Sequence, residues 1–502
     1  MTPAPAGLLP RICAASLTLL TAWSVTASET PALVAAVERG DRARAIALLE
    51  SRADVTAPSP DGTTALHHAV LQNDQDLARR LLEAGADATV ANRYGITPLH
   101  LAALNGSAPM IERLLEAGAD ANETGNEGET VLMTAAQTGV VAAAGILLEN
   151  GAGVDARESW HGQTALMWAA AEGHPAMVKR LIDAGADVNA VSTIDQWERQ
   201  DTDEPRAKWL PPGGMTALLL AAREDCTECV AVLAEGGADL NAVSAEGISA
   251  VVLALINGHY DTAIALLEAG TDPNLYDYTG RGAVYAAADF NTMPVSNRPA
   301  PNVLPNEHTA LDVMRLALEK GADVNAALTE QSPYRSKIDR GNDTVLGAGT
   351  TALLRAAKAA DIPAVELLLA HGADASLTTR NGVNALMLAA GVGTAEQDTT
   401  GRYKSEDDVV RTIDLMLAQG LDINATDRNG RTALHGAALQ GQDKVVAALV
   451  DRGADLGALD QNGFTPLDTA RGLAGGFGFS GEEGRLHQST VDLIENLLGE
   501  PQ

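Results

Sequence analysis

Aromatic side chains make up only 3% of this 502-residue chain, with four Phe, seven Tyr and five Trp. Cysteine is scarcer still: of three, one close pair remains beyond the first 27 residues, Cys226-Thr-Glu-Cys229. With no thioredoxin-like βαβ pattern around it, that pair does not read as a redox enzyme, and Val230 in place of a histidine excludes covalent haem attachment. Positive charge is also short, with 35 basic against 66 acidic side chains and a net charge of −31. This disfavours nucleic acid, whose binding needs Lys and Arg to neutralise phosphates, and equally an anionic membrane surface. No apolar run spans a bilayer; Ile12 to Trp23 is only twelve residues. The glycine-rich stretch at 472–484 lacks a preceding strand and a Gly-Lys-Ser/Thr ending, so it is no phosphate loop. No Ser-His-Asp, Cys-His or paired-carboxylate arrangement stands outside the internal repeat.

The repeat is what the chain does have. A glycine recurs ahead of a helix start at 62, 95, 128, 162, 214, 247, 280, 349, 382, 430 and 463, mostly at steps of 33 residues. A second ladder, Gly-Ala-Asp or a near variant, follows at 85, 118, 151, 185, 237, 270, 321, 372, 420 and 453. Such a period means a solenoid, in which each unit buries its apolar face only against its neighbours. In the unit from Gly95, Thr97 caps a first helix with Pro98 in its first turn, and Leu99, Ala102 and Ala103 form a thin apolar face. Asn105-Gly106 breaks it, a second helix carries Ile111, Leu114 and Leu115, and Gly118 ends that helix before a polar, turn-rich finger.

Thr97-Pro98-Leu99-His100, with near copies at Thr64-Ala65-Leu66-His67 and Thr432-Ala433-Leu434-His435, resembles the helix-start motif of ankyrin repeats. Gly185-Ala186-Asp187-Val188-Asn189-Ala190 is similar to that family's loop. Met133, Met167 and Met387 replace the motif histidine, and the units at Ser249 and Gly282 are degenerate. The resemblance implies an all-α solenoid of helix-turn-helix units with β-hairpin fingers, about 12 repeats in all, whose fingers and inner helices line a concave groove. It also implies a structural role for His67, His100 and His435. The expected layout is a signal peptide over 1–27 and one solenoid over 28–502. Within it lie an N-terminal cap at 28–60, regular repeats at 61–192, insertion-bearing repeats at 193–429 and a C-terminal part at 430–502. Arg39, Asp41, Arg42, Arg44 and Glu50 suit the solvent face of the cap.

The apolar run at Ile12–Trp23, preceded by Arg11 and followed by Val25-Thr26-Ala27, reads as a secretory signal rather than an anchor. Pro-Arg-Ile before Cys13 lacks the small residues of a lipoprotein site. The expectation is a soluble periplasmic or secreted bacterial protein, monomeric and not membrane-inserted once the signal is removed.

Insertions in a solenoid must leave as loops. The regular gap of 10 residues between a Gly-Ala-Asp and the next glycine start widens to 29 after Gly185 and to 28 after Gly321, both at fingers. The regular gap of 23 widens to 41 after Gly280 and to 38 after Gly382, both between paired helices. The last unit carries about 15 more residues. Repeats 5 to 10 are thus fringed from both edges, and from there the loops can fold over the groove and narrow it.

The few aromatics gather in the same region. Trp160, Trp168, Trp197 and Trp209 belong to the fifth repeat or its inserted finger, with Trp160 and His161 at a finger tip. Tyr278, Tyr285 and Phe290 follow, and Tyr334 and Tyr403 lie in later insertions. Buried Trp, Tyr and Arg dominate binding energy at interfaces, at about 2 kcal/mol or more each. Aromatics also staple loops to a scaffold, and for Trp168 and Trp197 both readings stay open. Tyr334-Arg335-Ser336-Lys337-Ile338-Asp339-Arg340 sets Arg335, Lys337 and Arg340 beside an aromatic, a site for carboxylates or an acidic peptide, or else internal pairing with Asp339, Asp343 and Glu330. Cys226 and Cys229 read first as a structural disulfide, with two free thiols as the alternative.

Zinc is not expected, because His174, Cys226 and His259 are equivalent positions on successive repeats about 8–10 Å apart, too far to share one ion. The functional expectation is a non-enzymatic scaffold without cofactor that holds a protein or peptide partner in the groove of repeats 5 to 10. Two alternatives remain: a small-molecule or glycan receptor with an aromatic pocket, and a hydrolase built from the insertions.

Overall fold

The computed structural model describes residues 30–194, 213–292, 306–330, 345–393, 405–473 and 485–499. Twenty-four α-helices follow one another within them. The first pairs are α1 (Ala32–Glu38) with α2 (Arg42–Glu50), α3 (Ala65–Leu71) with α4 (Gln75–Glu83), and α5 (Pro98–Leu104) with α6 (Ala108–Glu116). Next come α7 (Val131–Thr138) with α8 (Val141–Glu149), α9 (Ala165–Ala171) with α10 (Pro175–Asp183), and α11 (Ala217–Arg223) with α12 (Thr227–Glu235). Then α13 (Ala250–Asn257) pairs with α14 (Tyr260–Ala269), α15 (Ala283–Thr292) with α16 (Ala310–Glu319), and α17 (Ala352–Lys358) with α18 (Ile362–Ala370). The last are α19 (Ala385–Ala389) with α20 (Glu406–Ala418), α21 (Ala433–Leu439) with α22 (Asp443–Asp451), and α23 (Pro466–Ala470) with α24 (Gln488–Gly499). Each odd-numbered helix packs on its own partner and on the next odd-numbered helix. The inner layer therefore runs unbroken past every insertion.

Most inner helices have seven or eight residues, about two turns, too short to persist alone in water. Two devices hold them. Thr64, Thr97, Thr130, Thr164, Thr216, Ser249 and Thr351 each accept a backbone N–H from the first turn, which contributes about 1 kcal/mol per helix. Small buried residues such as Ala69, Ala102, Ala136 and Ala170 then let neighbouring helices close in. The motif histidine adds a link between repeats: His67 Nδ1 lies 2.8 Å from Thr64 Oγ1 and its Nε2 3.0 Å from the carbonyl of Ile96. Burial pushes the imidazoles of His67, His100 and His435 below their ordinary pKa. The cap residues Arg39, Asp41, Arg42, Arg44 and Glu50 are exposed, as expected.

The fingers differ in detail from β-hairpins. Among the described residues they carry only isolated antiparallel bridges, Thr124 with Thr130, Ile194 with Gly213, Val243 with Ser249 and Ala327 with Thr351. Side chains take over where ladder hydrogen bonds would run. Asp61 is held at a pKa of about 2, first by the Ser59 hydroxyl and then by the backbone N–H of Thr63. Successive fingers are joined by backbone bonds, such as Arg93 N–H to Asp61 O at 2.9 Å and Ser159 N–H to Glu127 O at 2.8 Å.

A second ladder runs through the loop asparagines. Asn189 Nδ2 donates to the carbonyl of Gly237 and its Oδ1 accepts from Asp239 N–H at 2.7 Å, bridging 48 and 50 residues. Asn274 does the same to Gly321 and Asp323. These contacts span the first finger insertion and the first helix–helix insertion, so both loops leave the array without breaking its register.

Candidate binding groove

Helix periodicity selects the residues available for recognition. Counted from the capping position, the fourth and seventh residues of an inner helix lie one turn apart on one face. In α21 these are Gly436 and Leu439, which line a pocket of about 150 Å3 together with Asn429, Gln461 and Asn462 from two fingers. Finger tips and this helix face thus share one concavity. In the same register stand His68 and Leu71 on α3, Leu101 and Leu104 on α5, Trp168 and Ala171 on α9, Ala286 and Asp289 on α15, and Arg355 and Lys358 on α17.

The face is open at its N-terminal end, where Leu71 is 49% and Leu104 52% exposed. Further along it is shut: Asp289 and Arg355 are 0% exposed, and Lys358 is buried. Two described stretches also close in on each other farther along, beside α19 and α21. Val392 lies against Gly436, where a Cβ would stand 2.7 Å from the Val392 nitrogen, so only glycine admits that approach. Gly393 in turn touches the side chain of Val345, and Val345, Leu346 and Val392 are all buried. Val345 ends the second finger insertion and Val392 begins the second helix–helix insertion. The chain ends from the two edges therefore meet over the inner helices.

On α15 and α17 lies a charge pair that sequence reasoning missed. Arg355 Nε donates to Asp289 Oδ1 at 2.6 Å with both side chains wholly buried, tying α17 to α15. Asp361, the cap of α18, accepts from Asn291 of α15. The available signal was register: Asp289, Arg355 and Lys358 occupy groove positions that hold Leu71, Leu101 and Leu104 in the N-terminal repeats. A similar pair anchors the fingers, where buried Asp277 holds Arg281 and buried Asp427 holds Arg431, each at 2.9 Å to Nε.

The exposed feature is the finger tip before α9. Glu158 is buried, and its carboxylate accepts the backbone N–H groups of Trp160, His161 and Gln163. Trp160 stacks on His161, ring centroids 4.4 Å apart, and remains 63% exposed. The tip is tied on both sides, by Ser159 N–H to Glu127 O and by Thr193 N–H to His161 O at 2.7 Å. Relative to the finger glycine, Trp160 and His161 match Gln461 and Asn462, two residues of the C-terminal pocket.

The other expected site residues divide three ways. Trp168 is half-buried on α9 and packs against the core while facing the groove. Tyr278 is half-buried in the finger before α15, and burial raises its phenol pKa. Tyr285 and Phe290 correct the expectation: both are 4% exposed and belong to the interior. Tyr285 takes the inward position of His67 and Met133, and every residue of α15 but Asn291 is buried. Trp197, Trp209, Tyr334, Arg335, Lys337, Arg340 and Tyr403 lie outside the described residues.

Cys226 and Cys229 form a disulfide in the first turn of α12. Cys226 caps that helix where His174 and His259 cap α10 and α14. Among the described residues no group of three or more His, Cys, Asp or Glu is placed to hold a metal ion. No helix described is long and apolar enough to cross a membrane.

The family model for ankyrin repeats (3 copies) matches residues 33–125, 99–192, 198–277 and 404–472, more than half of the chain. The chain belongs to the ankyrin repeat family. The crystal structure of the human ASB11 ankyrin repeat domain is 28% identical to it, with 47% of this chain and 96% of that one covered at a TM-score of 0.40. No curated protein matches the chain. Ankyrin repeats generally mediate protein–protein interaction.

Proposed function

We propose that this ankyrin array is a non-enzymatic scaffold of an oxidising compartment, the bacterial periplasm or the secreted medium, that holds a protein or peptide partner in its groove. The observation that carries the recognition reading is the Trp160 tip. A large aromatic stands out to solvent on a backbone held by a buried carboxylate and two flanking fingers, so little backbone freedom is lost when a partner covers it. The Cys226–Cys229 disulfide supports the compartment, since such bonds persist where thiols are not kept reduced.

Burial of the groove face at α15 and α17 moves the accessible surface toward the N-terminal repeats and away from the middle of repeats 5 to 10. The test is affinity capture from envelope extract by the chain from residue 28 onward, beside its Trp160→Ala form and a form lacking 193–212. Loss of the same captured protein from the Trp160→Ala form, with an unchanged melting curve, supports the reading. Equal capture by all three forms removes it.

A further inference from the structure

We propose that the open face from α3 to α9 receives a cationic amphipathic helix of the partner, laid along the groove with apolar residues at seven-residue spacing. This deepens the scaffold reading and rests on it. The apolar half of the argument is a row of equivalent positions. Leu71 and Leu104 are about half exposed on adjacent helices, Leu101 and Trp168 are half-buried one turn earlier, and the exposed rings of Tyr94 and Trp160 stand at the flanking finger tips. Arg93 lies 4.8 Å over the Tyr94 ring and donates to its hydroxyl, so this second tip is also held in place.

Spacing decides between a helical and an extended ligand. Packed helices are about 8–10 Å apart, so the row offers apolar footholds on α3, α5 and α9 at multiples of ~10 Å, with half-buried Thr134 and exposed Gln137 of α7 between them. An α-helix rises 1.5 Å per residue and returns to the same face after seven residues, at about 10.5 Å. An extended chain covers that step in about three residues, an odd number, which turns alternate side chains away from the groove. Only the helix keeps step with the array.

Charge sets the other face. Residues 61–192 hold seventeen Asp and Glu against seven Lys and Arg, a net of −10. Of the seven, Arg79 and Arg80 are bound to Asp76, Lys179 to Asp183, and Arg157 to the carbonyls of Gly162 and Val191, while Arg93 covers Tyr94. Glu127 is exposed on the finger between the two aromatic tips, and Glu172 is exposed at the end of α9. A partner helix with Lys and Arg flanking its apolar stripe meets acidic neighbours on both sides.

The experiment uses the chain from residue 28 onward and a labelled 21-residue Leu/Lys amphipathic helix, read by fluorescence anisotropy at physiological salt. Two companion peptides match its length and charge, one with the apolar register scrambled and one with proline breaking the helix. The intact helix is expected to bind at least tenfold tighter than either. Leu104→Asp with Trp160→Ala is expected to weaken it at least tenfold at unchanged melting temperature, although the new aspartate by itself attracts a cation. Equal binding of the scrambled peptide, or unchanged affinity of the double variant, overturns the proposal. If the helix fails while capture of the native protein still depends on Trp160, the inference falls and the scaffold reading stands. If neither depends on these residues, both fall.

Discussion

Replacing Arg355 with methionine removes the guanidinium that donates to Asp289 Oδ1, at a position with no solvent exposure. Removing one member of a buried pair costs about 3–5 kcal/mol, because the desolvated charge left behind loses its compensation. Methionine fills much of the arginine volume, so cavity formation adds little to that figure. Because each repeat contacts only its neighbours, the loss falls on the α15–α17 junction, and the array is expected to unfold in two separated steps. Urea unfolding followed by circular dichroism reports all helices. The fluorescence of Trp160 and Trp168 reports the N-terminal side. The two curves should part in Arg355→Met and coincide more closely in the original protein. Asp289→Leu with Arg355→Met should recover at least half of the lost stability, since both charges are then gone. A single substitution costing under about 1 kcal/mol, or a double variant no better than the single, would falsify the claim that this pair is a desolvated clamp.

Three further outcomes follow from the same geometry. His67, His100 and His435 have depressed pKa values in the folded chain, so below the unfolded value of about 6.5 the unfolded state takes up protons that the folded state refuses. Stability is therefore full above that pH and falls as pH drops through it, and replacing all three with Met, the residue at 133 and 167, should flatten the denaturation midpoint between pH 7.5 and 5.5. Gly436→Ala sets a Cβ 2.7 Å from the Val392 nitrogen and should cost about 1–3 kcal/mol, whereas Gly145→Ala on α8, with nothing nearer than 3.8 Å, should be neutral or stabilising by up to about 1 kcal/mol. Thermal melts separate the two glycines, and equal effects would contradict the close approach at α21. Reducing Cys226–Cys229, a loop of a few residues, should cost at most about 2 kcal/mol and leave the far-UV spectrum helical.

Much of the architecture was legible because a 33-residue period repeats the same local chemistry many times. Thr97 as a cap, Pro98 in the first turn and His100 below it carry their roles in the immediate sequence, and the structure places all three as read. The disulfide was legible for the same reason, since three residues separate its ends. Aromatic content misled at Tyr285 and Phe290. The register assigns Tyr285 to the interior, where position outweighs residue type. Trp160 was correctly set at a finger tip, but its rigidity was not visible, because Glu158 reads as one more acidic residue until its carboxylate is seen facing three backbone amides.

The sequence by itself determined the repeating unit, its helix caps and the acidity of the chain. All of these depend on residues a few positions apart, or on sums over the chain. Only the tertiary structure decided which stretch of groove is open. That depends on Val345 meeting Gly393 and on Arg355 finding Asp289 across 66 residues. Such contacts join residues far apart in the sequence across neighbouring repeats, and no period in the chain encodes them.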